Sequence, residues 1–307
     1  MPGAYAHLTL ANEASAPALL ERANVPLDAI TAILDWKKFV ELGAVSPDLS
    51  YLIFTGNAKK WADKMHYVRS GDVIKSMARR VRAERNPMLL KKKLAWLLGY
   101  TLHVGGDTTI HPVVRLKVGD YEQNKTAHRI CEMNQDAYIF QRLNVGPLGL
   151  GDFLSKSICA CNDEEGNLDS SIVGLWEAAL EECYPDEFSE NRPTINAWFQ
   201  SFNWWVGEIG GLSLIPLARH VCIGEGLAYP SLNEIDYQYI HALRTPRNIP
   251  MPYDEIFDFA KTKVVSLWAT VADYVINGNE CALERILNLN LDTGEDSEGT
   301  IRMWAEA

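Results

Sequence analysis

The sequence predicts an all-α architecture, a multi-helix bundle, and three patterns carry that expectation. The first lies between Leu94 and Pro112, where His103, Asp107 and His111 follow one another at intervals of four. A helix advances ~100° per residue, so these positions drift only ~80° around the axis, and one face presents two imidazoles and a carboxylate. The second is the same device repeated over Asn124 to Leu143, with His128, Glu132 and Asp136 in register. The third is the apolar content around the first: Leu89, Leu90, Leu94, Trp96, Leu97, Leu98 and Leu102 cover most of a helix circumference. A helix apolar nearly all round is buried. The two polar faces can converge only if the helices Leu94–Thr109 and Asn124–Leu143 pack side by side at the centre of the bundle.

The other elements follow from local chemistry. His7 is expected ahead of a helix near Asn12 to Ala23, and Pro26 opens a second helix that Gly43 closes as a C-cap. Pro47 makes Ser46 non-helical, which puts Asp48 in a loop or at a helix start. His66 falls in Trp61–Tyr67, and a basic helix follows whose Arg79, Arg80, Arg82 and Arg85 form a solvated face. The central helix starts at Pro87 and is expected to stop at Pro112, with a loop over 113–123. Gly99, Gly105 and Gly106 cost a helix about 1 kcal/mol each against Ala, so their use is to let backbone or ligand approach closely. Further helices are expected at 169–184, 194–209, 212–222, 231–242 and 253–277, the last ending at Gly278. The aromatic run Trp198 to Trp205 reads as core, with a pocket for a lipid tail or a base as the alternative, and His220 and His241 read as structural. Residues 1–290 are read as one domain and 291–307 as an acidic, mobile tail.

Composition narrows the function. The chain is 47% hydrophobic and 22% charged, with no apolar run near the ~20 residues of a membrane span. Its start lacks the basic and apolar regions of a signal peptide, so a cytoplasmic protein is expected. Six cysteines without a C-x-x-C pair are read as reduced thiols. A formal charge of −11 argues against stable nucleic-acid binding, although metal ions in one cleft would still attract an anionic substrate. Imidazoles and carboxylates four apart on buried helices suit a divalent ion of borderline hardness, zinc foremost.

Taken as an ordered set, the segments AHLTLA (His7), GAVSPDLSYL (Asp48), KMHY (His66), GYTLHVGGDTTIHP (His103, Asp107, His111) and HRICEMNQDAYI (His128, Glu132) resemble the zinc-dependent phospholipase C and S1/P1 nuclease superfamily. The phospholipase C-like branch, which includes the N-terminal domain of glycosylphosphatidylinositol-specific phospholipase D, is the better match. The resemblance covers residues 1 to about 140. It implies a helical bundle of the phospholipase C / P1 nuclease type holding two or three zinc ions. Asp48, His66, His103 and Asp107 would hold one zinc, and His111, His128 and Glu132 a second. Asp107 would bridge to a third, completed by His7 and by a free N-terminal amine and carbonyl. This chain begins Met1-Pro2 rather than with the family's tryptophan, so removal of Met1 would have to expose the Pro2 amine.

The implied chemistry is hydrolysis of a phosphoester by a hydroxide shared between two ions ~3.5–4 Å apart. Asp107 bridges metals in that scheme, and Asp48 is also a candidate to accept the water's proton. A phosphodiesterase of phospholipase C type is the first expectation, acting on a small anionic phosphoester, lipids included. The alternatives are a phosphomonoesterase or nuclease, a specialised-metabolism enzyme using the cluster as a Lewis acid, and a non-catalytic metal-stabilised binding domain. Head group and oligomeric state are not legible.

Overall fold

A computed structural model describes residues 3–53, 57–144, 156–209 and 229–305. Its described helices are α1 (Ala4–Ala14), α2 (Pro17–Arg22), α3 (Leu27–Asp35), α4 (Lys37–Val45), α5 (Ala58–Tyr67), α6 (Ser70–Ala83), α7 (Pro87–Val118), α8 (Lys125–Ile139), α9 (Ser170–Cys183), α10 (Pro185–Glu190), α11 (Ile195–Ile209), α12 (Tyr253–Ala272) and α13 (Glu280–Glu284). The described sheet is a two-residue antiparallel ribbon, Leu243–Arg244 against Pro250–Met251. The fold is all-α, as the sequence predicts. No described helix is long and apolar enough to cross a membrane.

Helix α7 is the axis of the molecule. Asn86 caps it by accepting from the backbone N–H of Met88 and Leu89 at 3.0 and 3.3 Å, and Pro87 occupies the first turn, where its missing N–H costs nothing. Every residue from Leu94 to Val114 is buried, so the polar side chains in that span are placed in the core by the helix that carries them. Helices α1, α3, α4, α6, α8 and α12 pack around it. Gly43 of α4 and Gly99 of α7 face each other: a Cβ on Gly43 would lie 2.2 Å from the Trp96 carbonyl oxygen, and one on Gly99 2.1 Å from that of Val40. Across the axis, the Trp268 indole of α12 donates to Leu98 O at 2.6 Å.

Several expectations are corrected. Gly43 does not end a helix; it lies inside α4 as the contact with α7, and the helix foreseen from Pro26 is two helices meeting at Trp36. His7 lies within α1 rather than ahead of a helix. No local side chain caps α1; the acceptor comes from Asp136 of α8, which takes the N–H of Tyr5 and Ala6 at 3.3 and 3.1 Å. Helix α7 does not stop at Pro112 but runs to Val118, replacing much of the expected loop. Proline at 112 cannot donate to Thr108 O. Nearby, the Thr109 carbonyl accepts instead from the Trp304 indole at 2.8 Å, and Gly294 (φ +70°) lies against Thr108 O and the Pro112 ring.

The stretch 231–242 forms two short 3₁₀ turns instead of a helix. Glu234 closes a capping box on Ser231, and Asp236 accepts from Gln238 N at 3.0 Å, so side chains satisfy backbone groups that a helix would use. The helix expected at 212–222, with His220, lies outside the described residues.

The C-terminal acidic segment packs against the bundle. Leu291 and Trp304 are buried, Leu291 N donates to His66 O at 2.9 Å, and Ser70 Oγ donates to Leu289 O at 2.7 Å. One contiguous apolar core runs from Ala6 through Leu291 to Trp304. Trp198 and Phe199 sit inside it, whereas Trp204 is exposed.

Candidate metal centre

Four elements converge on Asp107. Helix α7 supplies it together with His103 and His111. Asp136 fixes the start of α1 so that His7 faces α7 where Gly106 leaves room: a Cβ there would lie 3.5 Å from His7 Nδ1. Helix α5 brings His66, and the 3₁₀ turn Ser46–Leu52 brings Asp48.

The distances define a cluster. Asp107 Oδ1 lies 3.1 Å from His7 Nε2 and 3.7 Å from His111 Nε2, and Oδ2 lies 3.1 Å from His103 Nε2 and 3.9 Å from His66 Nε2. Asp48 Oδ1 lies 3.1 Å from His66 Nε2 and 3.7 Å from His103 Nε2. The rings of His7 and His103 stack at 4.2 Å. Two triads have ligand atoms all within 4.8 Å of one another, His7–His103–Asp107 and Asp48–His66–His103. Asp48 is the member partly open to solvent, at 21% exposure.

The protonation logic of these residues fits a cation. His66 Nδ1 lies 2.7 Å from Ala62 O, and His103 Nδ1 lies 2.9 Å from Ala44 O. A carbonyl only accepts, so each Nδ1 carries the proton and each neutral ring turns its Nε2 lone pair inward. Those two Nε2 atoms lie 3.3 Å apart. Two lone pairs at that distance repel unless a proton or a metal ion lies between them. Asp107 makes the same demand: both of its oxygens are buried without a hydrogen-bond partner, as are His7 Nε2 and His111 Nε2. Buried polar atoms are almost always satisfied, and divalent ions held by these residues would satisfy them.

Electrostatics agree. Burial pushes the Asp107 carboxyl upward, but the imidazoles of His103 and His111 beside it outweigh that and hold it well below the usual carboxylate range. Asp48 is likewise raised by burial and brought below its ordinary value by His103 and His66. Burial lowers His111 to about 4, so the ring is neutral and able to ligate near neutral pH. Burial also raises Glu132 to about 8, the expected response of a carboxyl group withdrawn from water.

The other half of the expected ligand set is looser. Glu132 Oε1 lies 3.9 Å from His111 Nε2. His128 belongs to neither triad; its Nε2 faces Gly119 O at 2.6 Å, so that nitrogen carries the proton. The expected ligand at Pro2 lies outside the described residues. Asp136, third in the periodic series on α8, turns toward α1 and also accepts from the Tyr229 hydroxyl at 3.1 Å. Two residues with structural roles at the site went unassigned in the sequence. Asp136 carried only the spacing, and Asp292, whose Oδ1 lies 3.3 Å from His111 Nδ1, stood in an acidic segment without periodicity. A surface cavity of about 570 Å³ beside that segment, lined by Tyr67, Lys75, Asn288 and Arg302 among others, includes none of the candidate ligands.

A family model described as zinc dependent phospholipase C matches residues 6–185, more than half of the chain. The chain belongs to the zinc-dependent phospholipase C family. No curated protein and no solved structure matches it.

Proposed function

We propose that this chain is a zinc-dependent phosphodiester hydrolase of phospholipase C type. The observation that carries the reading is Asp107, a carboxylate with no exposure, ringed by the Nε2 atoms of His7, His66, His103 and His111 and lacking any hydrogen bond to either oxygen. A structural zinc needs four closed ligands, whereas here more donors than that surround a shared carboxylate. Zinc bound there would supply a water activated near neutral pH and positive charge for the phosphoryl oxygens.

The chain's own residues set the remaining conditions. His66 and His103 are locked by backbone carbonyls, so their ring orientation is fixed before a substrate arrives. His103 is common to the two triads of donors, and Asp107 faces His7 and His111 on its Oδ1 side and His66 and His103 on its Oδ2 side. Asp48, partly exposed at the edge of the cluster, would accept a proton from an attacking water while also serving as a ligand. Taken with Glu132 and His128 on α8, this gives a site for a small anionic phosphoester, lipids included.

The test loads the protein with zinc, verifies the metal content, and offers it phospholipids, nucleotides and phosphomonoesters in parallel. Hydrolysis of a diester in preference to monoesters, abolished by chelation and restored by zinc, is the expected result. Zinc-replete protein that hydrolyses none of them would overturn the reading.

A further inference from the structure

Each ring at the centre has two nitrogens, and what holds the outward one decides where the inward one points. For His66 and His103 the outward partner is a backbone carbonyl, Ala62 O and Ala44 O. His111 is different. Its Nδ1 lies 3.3 Å from Oδ1 of Asp292, an ion-pair distance whose alignment falls short of a hydrogen bond, while its Nε2 faces Asp107 and Glu132 at 3.7 and 3.9 Å. Asp292 lies 181 residues further along the chain and outside the matched span 6–185.

The carboxylate is delivered by a tethered turn. Asn290 Oδ1 accepts from Asp292 N at 2.9 Å and Thr293 N at 3.2 Å, and Gly294 N closes the turn onto Asn290 O at 2.8 Å. Before it, Leu289 N and O both bond Ser70 Oγ, at 3.0 and 2.7 Å. Within it, Leu291 N bonds the backbone oxygen of His66, another candidate ligand. After it, Gly294 rests on Pro112, the residue following His111, and Trp304 bonds Thr109 O. The turn is therefore anchored to two of the ligand-bearing helices, α5 and α7, and its one carboxylate facing the site meets His111.

We propose that Asp292 is a positioning residue of the metal centre: it keeps the proton of His111 on Nδ1 and so directs the Nε2 lone pair at the ion shared with Asp107 and Glu132. The proposal rests on the zinc reading above for the identity of the ion, but not for the contact itself. A carboxylate behind a ligating imidazole fixes its tautomer and raises its basicity, and loss of such a partner typically costs 10–100-fold in metal affinity.

The test uses the full chain with ¹⁵N-labelled histidine, as wild type, Asp292→Ala and Asp292→Asn. Two quantities are read: the His111 tautomer from ¹⁵N multiple-bond correlations, and zinc affinity by competition with a chelator. In the wild type, His111 should carry its proton on Nδ1. In Asp292→Ala the tautomers should mix and the weakest-held zinc should bind about 10–100-fold less tightly. Asp292→Asn, which keeps an acceptor oxygen but no charge, should fall between them. Wild-type tautomer and wild-type zinc affinity in Asp292→Ala would overturn the proposal. Should that variant fail to fold, unchanged affinity in the near-isosteric Asp292→Asn does so. If the wild type itself takes up no zinc, the metal reading fails, and the tautomer in the same samples still decides whether Asp292 holds the ring.

Discussion

At the scale of the residue, Asp107 carries the most consequence. Burying a carboxylate is costly unless cations or donors meet it, and two of the imidazoles that meet it, His66 and His103, hold their protons on the outward nitrogen. The Asp107→Asn substitution keeps the shape, removes the charge and turns an amide donor toward ring nitrogens that need a metal. We expect this variant to lose at least one bound zinc and at least about 10²-fold in hydrolytic rate, the range that separates a metal-assisted site from a crippled one. Metal binds only the folded state, so zinc should raise the melting temperature of the wild type, by the equivalent of about 2.7 kcal/mol at a hundredfold excess over Kd. That increment should largely vanish in the variant. Metal analysis and paired melts with and without chelator decide it; full zinc content in Asp107→Asn would refute the assignment. This residue was legible in the sequence because a four-residue step on a buried helix has few other uses. Asp292 was not, because nothing local in DTGEDSEG distinguishes one carboxylate from its neighbours.

At the scale of the element, the sequence told more about which segments are helical than about where they end. Helix α7 runs past its internal proline to Val118, and beside that point a tryptophan from the far end of the chain bonds the Thr109 carbonyl, a contact no local window contains. Helix α1 begins before its expected start, with Asp136 supplying the cap from α8. The glycines show the point in reverse. Gly43 looked like punctuation and Gly99 like a concession to a ligand, yet together they let α4 and α7 approach backbone to backbone. A methyl group on Gly43 would meet backbone atoms on three sides, Trp96 O, Tyr100 N and Gly99 Cα, all within 2.9 Å. Gly43→Ala should therefore destabilise by about 1–3 kcal/mol or more, as overpacking of a rigid contact does. Gly174, inside α9, provides the contrast: a methyl group added there would find nothing within 4 Å. Gly174→Ala should stabilise by about 0.5–1 kcal/mol through helix propensity alone. Urea midpoints of the two variants should move in opposite directions; a shift of the same sign would remove the argument.

At the scale of the whole molecule, the N-terminal half carries the candidate ligands and the C-terminal segment packs against the elements that bear them. The all-α bundle and the shared face of His103 and Asp107 follow from spacing on buried helices, whereas the meeting of His7, Asp48 and His66 with them was implied only by the family resemblance. The role of the final residues could not be anticipated: acidic composition suggests a solvated tail, and the apolar residues that pin it, Leu291 and Trp304, are too few to register as a periodic element. In the folded chain Trp304 is buried, packs on Phe259 with ring centroids 4.5 Å apart, and spends its indole N–H on Thr109 O within the ligand helix. Removing a buried tryptophan side chain typically costs about 3–5 kcal/mol, a large share of the 5–15 kcal/mol that holds a domain together. Trp304→Ala should thus lower the denaturation midpoint sharply. Trp304→Phe, which keeps most of the apolar surface but loses the donor to Thr109 O, should cost about 1–2 kcal/mol. Truncation after Asn290 removes Leu291, Asp292 and Trp304 together, so it should destabilise more than Trp304→Ala and loosen zinc as well, because the partner of His111 goes with it. Equilibrium unfolding of the three proteins, each with and without zinc, tests that order. A truncated chain as stable and as tightly zinc-bound as the full one would show that the segment is the solvated tail its composition suggests.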